Sequence, residues 1–247
     1  MEQSDFEKRI EDLSLRCSRT GSITLSSFLT PTESFSISGR IFNGIRPLLL
    51  GGYENAERKV AFFLPEWESE ENLDLAKYLA ALEIKSYFGA PGHRDYMGAI
   101  LGLGIERDRI GDILVSDDTA YIICIRSVAS LILNELDKVG HCGVKVSSIP
   151  LSAVPEPEIP VRSVSFTVKS LRLDAVAGDM FGISRTSAAE FIRLGAVTLN
   201  YSICEKTDAP VSEGDVISIR GKGKGRIREI GGRSKKDRIF VTAEIRI

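Results

Sequence analysis

A dense run of prolines divides this chain. Four of the nine prolines lie within eleven residues: Pro150, Pro155, Pro157 and Pro160. Proline has no amide hydrogen to donate and fixes φ, so a run this dense interrupts both helices and central strands. Such segments are extended and semi-rigid. We therefore predict a linker at residues 151–160, with separately folded segments on either side.

The two sides of this linker differ in charge. The whole chain of 247 residues has a formal net charge of −2. Residues 161–247 hold 16 Lys and Arg against 10 Asp and Glu, a surplus of six positive charges, which leaves residues 1–160 at −8. Positive charge concentrated at one end of a chain favours binding of a polyanion there.

Composition also disfavours several ligands and locations. Four cysteines are scattered without a Cys-x-x-Cys pair: Cys17, Cys124, Cys142 and Cys204. With two histidines in the chain, a zinc site of ordinary ligand spacing is not expected. Scattered reduced thiols are typical of a cytoplasmic protein, and no stretch approaches the roughly 18 to 20 apolar residues of a membrane helix. We expect a cytoplasmic protein with no metal, no cofactor and no membrane contact.

Residues 1–70 are predicted to form an N-terminal unit of helix and strand. Apolar side chains recur at helical spacing near the start: Phe6, Ile10, Leu13 and Cys17. From Thr24 to Pro65 the pattern is typical of strands, with a turn at the Pro/Thr-rich segment near Pro31 and a break at Gly51-Gly52.

Residues 71–150 are predicted to form a middle domain of helices and strands. The apolar spacing predicts a helix at 72–83, a strand at 84–88, a helix around 97–101, a hairpin of 112–115 with 119–125, a helix at 128–136 and a strand at 143–149. This order is the split βαβ layout shared by ferredoxin-like and RRM-like domains, although the RNP-one pattern is absent. The predicted fold class of the whole chain is α+β.

Residues 161–247 are predicted to hold two short helices and a hairpin-rich sheet. Gly182 is expected to end the first helix, Ser184 to cap the second and Gly195 to close it. Arg185 and Arg193 can point outward from the second helix. A helix N-terminus beside arginines favours phosphate, because unpaired amides and the helix dipole both attract anions.

A basic segment follows directly. Residues 220–238 carry nine positive side chains against Glu229 and Asp237: Arg220, Lys222, Lys224, Arg226, Arg228, Arg233, Lys235, Lys236 and Arg238. The alternation of glycine with basic residues in GKGKGR is expected to let bare backbone approach phosphates. We predict salt-dependent sugar-phosphate contacts by this basic tail, chiefly through Lys222, Lys224, Arg226 and Arg228.

Several short motifs in the C-terminal segment agree in order and spacing with one family. They are Arg172-Leu173-Asp174, Ser184-Arg185, Ile192, Gly195-Ala196-Val197, Asn200 and Gly214-Asp215-Val216-Ile217. These residues resemble the ribosomal-protein S4 domain, the alpha-L RNA-binding fold. The resemblance implies binding of structured ribosomal or transfer RNA through the helix pair. Carried onto this chain, the implied RNA-facing residues are Arg172, Ser184, Arg185, Thr186, Arg193 and Asn200.

The rest of the chain is similar to the YlmH type of these proteins. The resemblance rests on Phe28 to Pro31, Gly51 to Tyr53, Ala56 to Arg58, His93 to Ile100, Gly104 to Arg107 and Gly111 to Ile113. It implies a non-catalytic quality-control factor that binds the large ribosomal subunit carrying obstructed peptidyl-tRNA. The implied partners are rRNA, tRNA and the large subunit, with no DNA. Members of the family also lie near cell-division functions.

Two other functions fit parts of the sequence. Arg172-Leu173-Asp174 also occurs around the catalytic aspartate of many pseudouridine synthases, which would make the protein an RNA-modifying enzyme. Only 73 residues follow Asp174, too few for that catalytic domain, so a carboxylate that stabilises a helix start is favoured. A division-associated scaffold is the second alternative, and it would not need the arginines.

Five residues of the N-terminal half remain open between function and structure. His93, Arg94 and Asp95 follow Gly92 at the start of a predicted helix, where they either bind RNA or a partner or make a structural turn. Arg58, like Arg107, either contacts RNA or lies in buried ion pairs.

Overall fold

The chain folds as two units, residues 1–157 and 158–247. A computed structural model describes residues 2–157 and 160–246. Within these residues it has six α-helices and three antiparallel sheets, so the predicted α+β class is confirmed. Residues 158 and 159 of the predicted linker lie outside the described residues. The linker begins with packed residues, because Leu151 and Val154 belong to an apolar cluster of the first unit.

The first unit opens with helix α1 (Glu2–Thr20), as predicted. Its Phe6, Ile10 and Cys17 are buried in one cluster with residues of a three-stranded sheet. The strands of that sheet are β1 (Thr24–Leu29), β2 (Leu48–Leu50) and β3 (Lys59–Phe63), in the order β1-β3-β2.

The turn predicted near Pro31 is wrong, because helix α2 (Pro31–Ile37) lies there. Thr30 and Glu33 form a capping box, in which the Thr30 hydroxyl accepts from the Glu33 amide at 3.3 Å and Glu33 Oε2 accepts from the Thr30 amide at 2.8 Å. Proline at the first helical position loses no hydrogen bond, since that amide has no partner in any helix.

A five-stranded sheet forms the rest of the first unit. Its strands are β4 (Leu79–Ser86), β5 (Ile110–Ser116), β6 (Thr119–Ile125), β7 (Lys138–Val139) and β8 (Cys142–Ile149), in the order β5-β6-β4-β8-β7. Helices α3 (His93–Gly102) and α4 (Arg126–Glu135) pack on one face. The observed order is the predicted one of strand, helix, two strands, helix and strand, with the two-residue strand β7 added before the last strand.

The helix predicted at 72–83 is wrong. Residues 79–86 are strand β4, preceded by two single turns of 3₁₀ helix at Glu70–Asn72 and Leu75–Lys77. β4 lies between β6 and β8, and it is buried on both faces: Leu82 and Ile84 face the helices, whereas Leu79 and Ala81 face the three-stranded sheet. A strand covered on both sides has a continuous apolar run instead of alternation, and such a run resembles a helical stripe.

The second unit is built on a six-stranded sheet. Its strands are β9 (Val161–Val168), β10 (Val197–Leu199), β11 (Ser202–Ile203), β12 (Val216–Ile219), β13 (Gly223–Arg233) and β14 (Ile239–Arg246), in the order β11-β10-β12-β13-β14-β9. The segment expected to be a basic tail is therefore strand β13 with its flanking turns. Asn200 and Tyr201 turn the β10–β11 hairpin with φ of 51° and 67°, the backbone that suits such a tight turn.

Two short helices pack on this sheet, as predicted. They are α5 (Leu173–Phe181) and α6 (Arg185–Arg193). Gly182 ends α5 in the left-handed conformation, and Ser184 caps α6 by accepting from the Ser187 amide at 3.0 Å. Buried Val176, Met180 and Ile192 join the strand residues in one core.

Candidate nucleic-acid interface

Two arginines meet at one buried carboxylate in the second unit. Arg172 donates to both Asp174 oxygens, from Nε at 3.2 Å and Nη2 at 3.1 Å. Arg185 donates from Nη2 to the same oxygens, at 3.3 and 3.0 Å. The Asp174 side chain is 7% exposed, whereas those of Arg172 and Arg185 are 39% and 57% exposed. The two arginines therefore lie together on one side of this unit.

The turn between the two helices makes this meeting possible. Gly182 reverses the chain, so the start of α6 runs back beside α5. A Cβ on Gly178 would lie 3.2 Å from the Ile183 carbonyl oxygen and 3.4 Å from Arg185 Cα. Glycine at 178 therefore allows the close approach that carries Arg185 to Asp174.

Asp174 stays ionised because of its arginines. Burial alone raises the pKa of a carboxyl, but the hydrogen bonds from Arg172 and Arg185, with their charges, outweigh burial and hold the pKa of Asp174 below its usual 3.8. One negative charge beneath two positive ones leaves the cluster net positive. Its outward-facing guanidinium edges can accept a phosphate as a ligand.

The other residues expected to face RNA differ in their contacts and exposure. The Ser184 hydroxyl is engaged within the protein, because it caps α6 and also lies 2.8 Å from the Ser187 hydroxyl. Thr186 and Arg193 are exposed, one in the first turn and the other in the last turn of α6. Asn200 serves the fold: its Nδ2 donates to Asp215 at 2.8 Å and its Oδ1 accepts from the Val216 amide at 2.9 Å.

The predicted basic strand residues lie on a different surface. Lys224, Arg226 and Arg228 alternate along β13 with Gly225 and Ile227, which are buried toward α5. Successive side chains of a strand point to opposite faces, so the three cations face away from the helices. Lys222 is exposed in the turn before β13.

Neighbouring side chains hold two of these cations. Lys224 Nζ lies 4.7 Å from the ring centroid of Tyr201, and Arg228 Nη2 lies 2.6 Å from Glu244 Oε2. We call Lys222, Lys224, Arg226 and Arg228 the outer basic strip.

The expected role of the glycines in GKGKGR is wrong for Gly225. A Cβ there would lie 2.1 Å from Met180 Cε and 2.8 Å from the Glu244 carbonyl oxygen. Gly225 is buried because helix α5 packs directly against the strand backbone, and no phosphate can reach it from that side. Gly221 and Gly223 have φ of 77° and 124°, so they serve the turn.

In the first unit, Arg58 is a structural residue. Its Nε donates to the Ile110 carbonyl at 3.1 Å and its Nη2 to that of Phe28 at 2.9 Å. Burial lowers the pKa of Arg58, and the charge of Asp112 opposes that shift. Arg107 donates from Nη1 to the Ile110 carbonyl at 2.6 Å, and burial lowers its pKa as well. Both half-buried arginines thus donate to backbone carbonyls instead of forming the ion pairs expected as one alternative, and contact with RNA stays a prediction.

Several motifs that resembled the YlmH type converge at this point. Asp112 accepts from the Tyr53 hydroxyl at 2.8 Å, the Glu57 amide at 2.7 Å and the Arg58 amide at 3.1 Å. A Cβ on Gly111 would lie 2.6 Å from the ring of Phe28. These motifs therefore join the three-stranded sheet to the five-stranded one.

In the segment His93-Arg94-Asp95, one of the two expected roles is observed for Asp95, and a binding role of His93 and Arg94 stays a prediction. Asp95 Oδ2 accepts from the Gly92 amide at 2.8 Å and so fixes the start of α3, which is a structural role. His93 and Arg94 are exposed in the same turn. In residues 2–157 and 160–246, no group of three or more His, Cys, Asp and Glu side chains is arranged to hold a metal.

Sequence reasoning missed the part that Asp174 takes. It was interpreted as a carboxylate at a helix start, whereas it links two arginines from different helices. The only signal in the sequence is an acidic residue two positions after Arg172, and that spacing says nothing about Arg185.

None of the described helices is long and apolar enough to cross a membrane.

Comparison with known proteins shows the family of this chain. A family model described as "Putative RNA-binding domain in YlmH" matches residues 71–153. The "Ribosome-associated protein quality control protein P2" of Bacillus subtilis (strain 168) is 33% identical over 223 residues, which are 89% of this chain and 86% of that protein. This chain belongs to the YlmH family.

A solved structure of the YlmH family supports the fold. The "Cell division protein ylmH" from Streptococcus pneumoniae superimposes with a TM-score of 0.53 over 63% of this chain and 96% of its own. At 21% identity this likeness concerns the fold alone.

Proposed function

We propose that this protein is a non-catalytic RNA-binding factor that binds structured rRNA or tRNA on the large ribosomal subunit. Its task would be the rescue or quality control of stalled peptidyl-tRNA complexes in the cytoplasm. The observation that carries the proposal is the pair of exposed guanidinium groups held by buried Asp174. Two fold assignments belong to it: a ferredoxin-like domain at 71–150 and an S4 (alpha-L) domain at 161–247.

The arginine cluster suits a folded RNA better than a small anion. Arg172 and Arg185 come from the starts of two helices, so their donors are fixed in direction before any ligand arrives. Arginine recognises phosphate through a planar set of donors, and fixing that set beforehand lowers the entropy cost of binding. The exposed first turn of α6 extends the surface past Thr186.

The assignment to ribosomes rests on the relative. The Bacillus subtilis protein is named for ribosome-associated quality control, a name without a catalytic activity. The enzyme alternative gains nothing from Asp174, because that carboxylate is engaged by two arginines and is nearly closed to solvent. A nucleophile needs an accessible, uncommitted oxygen.

Sedimentation with large ribosomal subunits tests the proposal. Arg185→Glu places a negative charge on the proposed contact surface and is expected to lower co-sedimentation at low salt by at least tenfold, as one hydrogen bond to a charged group is worth about 1.5–3 kcal/mol. Arg19→Glu makes the same charge change at an exposed residue of α1 and serves as the control. Equal sedimentation of the two variants would contradict the proposal.

A further inference from the structure

The five-stranded sheet of the first unit has a partly open face. Helices α3 and α4 cover one side of this sheet. On the other side, Ala81 and Ile123 pack against Phe28 and Phe62 of the three-stranded sheet. That cover ends along β4, because Lys85, two positions beyond half-buried Glu83 on the same face, is exposed.

An aromatic ring lies at the open end of this face. Tyr87 is 68% exposed, and its amide donates to the Gly143 carbonyl at 3.0 Å, which continues the pairing of β4 with β8. A Cβ on Gly143 would lie 3.2 Å from Tyr87 Cδ2. The ring therefore rests on bare strand backbone with its other side open to solvent. A ring held in this way is a stacking platform.

Two lysines share the face with Tyr87. Lys85 is the direct cross-strand partner of Lys145, and both are exposed. Like charges placed opposite each other destabilise a sheet. Glu83, two positions before Lys85 on this face, lies opposite Tyr121 of β6. An anion bound between the lysines would remove the repulsion, so the charge pattern favours an anionic ligand.

The loop after Tyr87 offers a second ring. Phe88 is 64% exposed, and its carbonyl accepts from the buried Ser86 hydroxyl at 2.7 Å, which fixes the loop backbone. Beyond the loop, Arg94 is exposed in the first turn of α3. Asp117 and Asp118 form the neighbouring β5–β6 turn, and the Asp118 carbonyl accepts from the Ser86 amide at 2.7 Å. The carboxylates of this turn repel an anionic ligand, so such a ligand is not expected to extend over the turn.

We propose that Tyr87, Phe88, Lys85 and Lys145 form a binding site for unpaired RNA. Exposed bases stack on aromatic rings, and their phosphates bind nearby lysines. A duplex cannot use this site, because its bases are already stacked inside the helix. The inference deepens the proposed function and rests on it only in taking RNA as the ligand. It gives the first unit a ligand class different from the structured RNA of the arginine cluster.

Fluorescence with the full chain tests this site. The probe is an eight-nucleotide single-stranded RNA carrying 2-aminopurine, whose emission falls when the base stacks. Tyr87→Ala is expected to abolish most of the quenching and to weaken binding between about 5-fold and 100-fold. Tyr87→Phe retains the ring and is expected to behave as the parent chain. Phe35→Ala removes an exposed ring of α2 and controls for a general loss of aromatic surface.

The lysines are tested by salt. Lys85→Ala with Lys145→Ala is expected to reduce the steepness of the log–log salt dependence by about 0.7 for each phosphate that the variant no longer binds. Unfolding curves of the Tyr87 and Phe35 variants should coincide with that of the parent chain, since each changed side chain is exposed. The double lysine variant should be equally or more stable, because it removes the repulsion between Lys85 and Lys145. The proposal would be overturned if the Tyr87→Ala variant still quenched the 2-aminopurine emission fully. It would also be overturned if the double lysine variant kept the salt dependence of the parent chain.

Arg185→Glu separates this inference from the proposed function. If the site in the first unit is real, Arg185→Glu leaves the quenching of the short RNA unchanged while it lowers binding to large subunits. If Arg185→Glu removes the quenching and Tyr87→Ala does not, the inference fails. A photoreactive amino acid at position 88 is expected to crosslink to RNA in cells, and a crosslink to a polypeptide would overturn the inference in favour of a protein partner.

Discussion

At the scale of single residues, Asp174 decides how the arginines are presented. A negative charge on a surface that binds a polyanion lowers affinity by simple Coulomb repulsion. Here the same charge orients Arg172 and Arg185 through four hydrogen bonds of 3.0–3.3 Å. Orientation and repulsion predict opposite effects of removing the charge, so a substitution distinguishes them.

We expect Asp174→Asn to weaken binding of structured RNA. The amide keeps the size of the side chain but loses the charge that holds both guanidinium groups. Loss of charge-assisted bonds at this buried residue is also expected to lower the free energy of unfolding by about 1–3 kcal/mol. Titration with a tRNA, together with urea unfolding, measures both effects.

Asp208→Asn is the matched control for that substitution. Asp208 is exposed, and its charge acts on Arg172. Removing it takes away repulsion without disturbing the two arginines, so tRNA affinity should stay equal or rise. Tighter binding by Asp174→Asn would show that repulsion outweighs orientation.

The lowered pKa of Asp174 also predicts a pH dependence of stability. A carboxyl whose pKa is lower in the folded state stabilises the fold fully above its unfolded pKa of about 3.9, and this contribution is lost as pH falls through the lower folded value. The stability difference between the parent chain and Asp174→Asn should therefore be constant from about pH 5 to 7 and shrink below about pH 4. A difference that is undiminished at about pH 2 would contradict this assignment.

At the scale of elements, the sequence allowed most of the fold to be predicted. Helices α1, α3, α4, α5 and α6 and the β5–β6 hairpin were evident from apolar spacing, caps and turn residues. β4 was not, since its burial on both faces depends on two layers that are distant in the chain. Helix α2 was missed although its capping box, Thr30 with Glu33, and Pro31 stand in the sequence.

Gly225→Ala tests the contact between strand β13 and helix α5. Met180 Cε can move aside, but the Glu244 carbonyl at 2.8 Å from the added Cβ belongs to the backbone and cannot. We expect a loss of about 1–3 kcal/mol in the free energy of unfolding, as for other overpacked core positions. Thermal unfolding measures it.

Gly232→Ala provides the control within the same strand. Nothing lies within 4 Å of a Cβ built there, so this change should be neutral or slightly stabilising. If the two alanines unfold alike, the close packing of α5 on β13 is not a constraint on residue 225.

At the scale of the whole molecule, positive charge is distributed over more than one surface. The sequence indicated which residues are basic but not that Arg185 and Arg226 face different sides of the same unit. That division follows from the alternation of the β13 side chains between the two faces of the sheet, and from the helix pair that covers one of these faces. The exposure of Tyr87 likewise depends on Gly143, which is 56 positions later in the chain.

The outer basic strip is expected to contribute to affinity through charge alone. Lys222→Ala with Lys224→Ala should reduce the slope of log affinity against log salt by about 0.9 for each phosphate that the variant no longer binds, without changing the preference among RNA sequences. Lys8→Ala with Lys77→Ala removes the same charge from exposed positions of the first unit and should leave the slope as it is. Equal slopes for the two double variants would exclude the strip from the interface.

The apolar layer between the two sheets of the first unit determines where this unit can be cut for expression as a fragment. Phe28, Val60 and Phe62 cover Leu79, Ala81 and Ile123. A fragment trimmed to the family match at 71–153 would display that layer to water, so it should precipitate on expression, whereas a fragment of 1–157 should purify as a monodisperse species. In this half of the protein, the segment matched by the family model is therefore shorter than the segment expected to fold on its own.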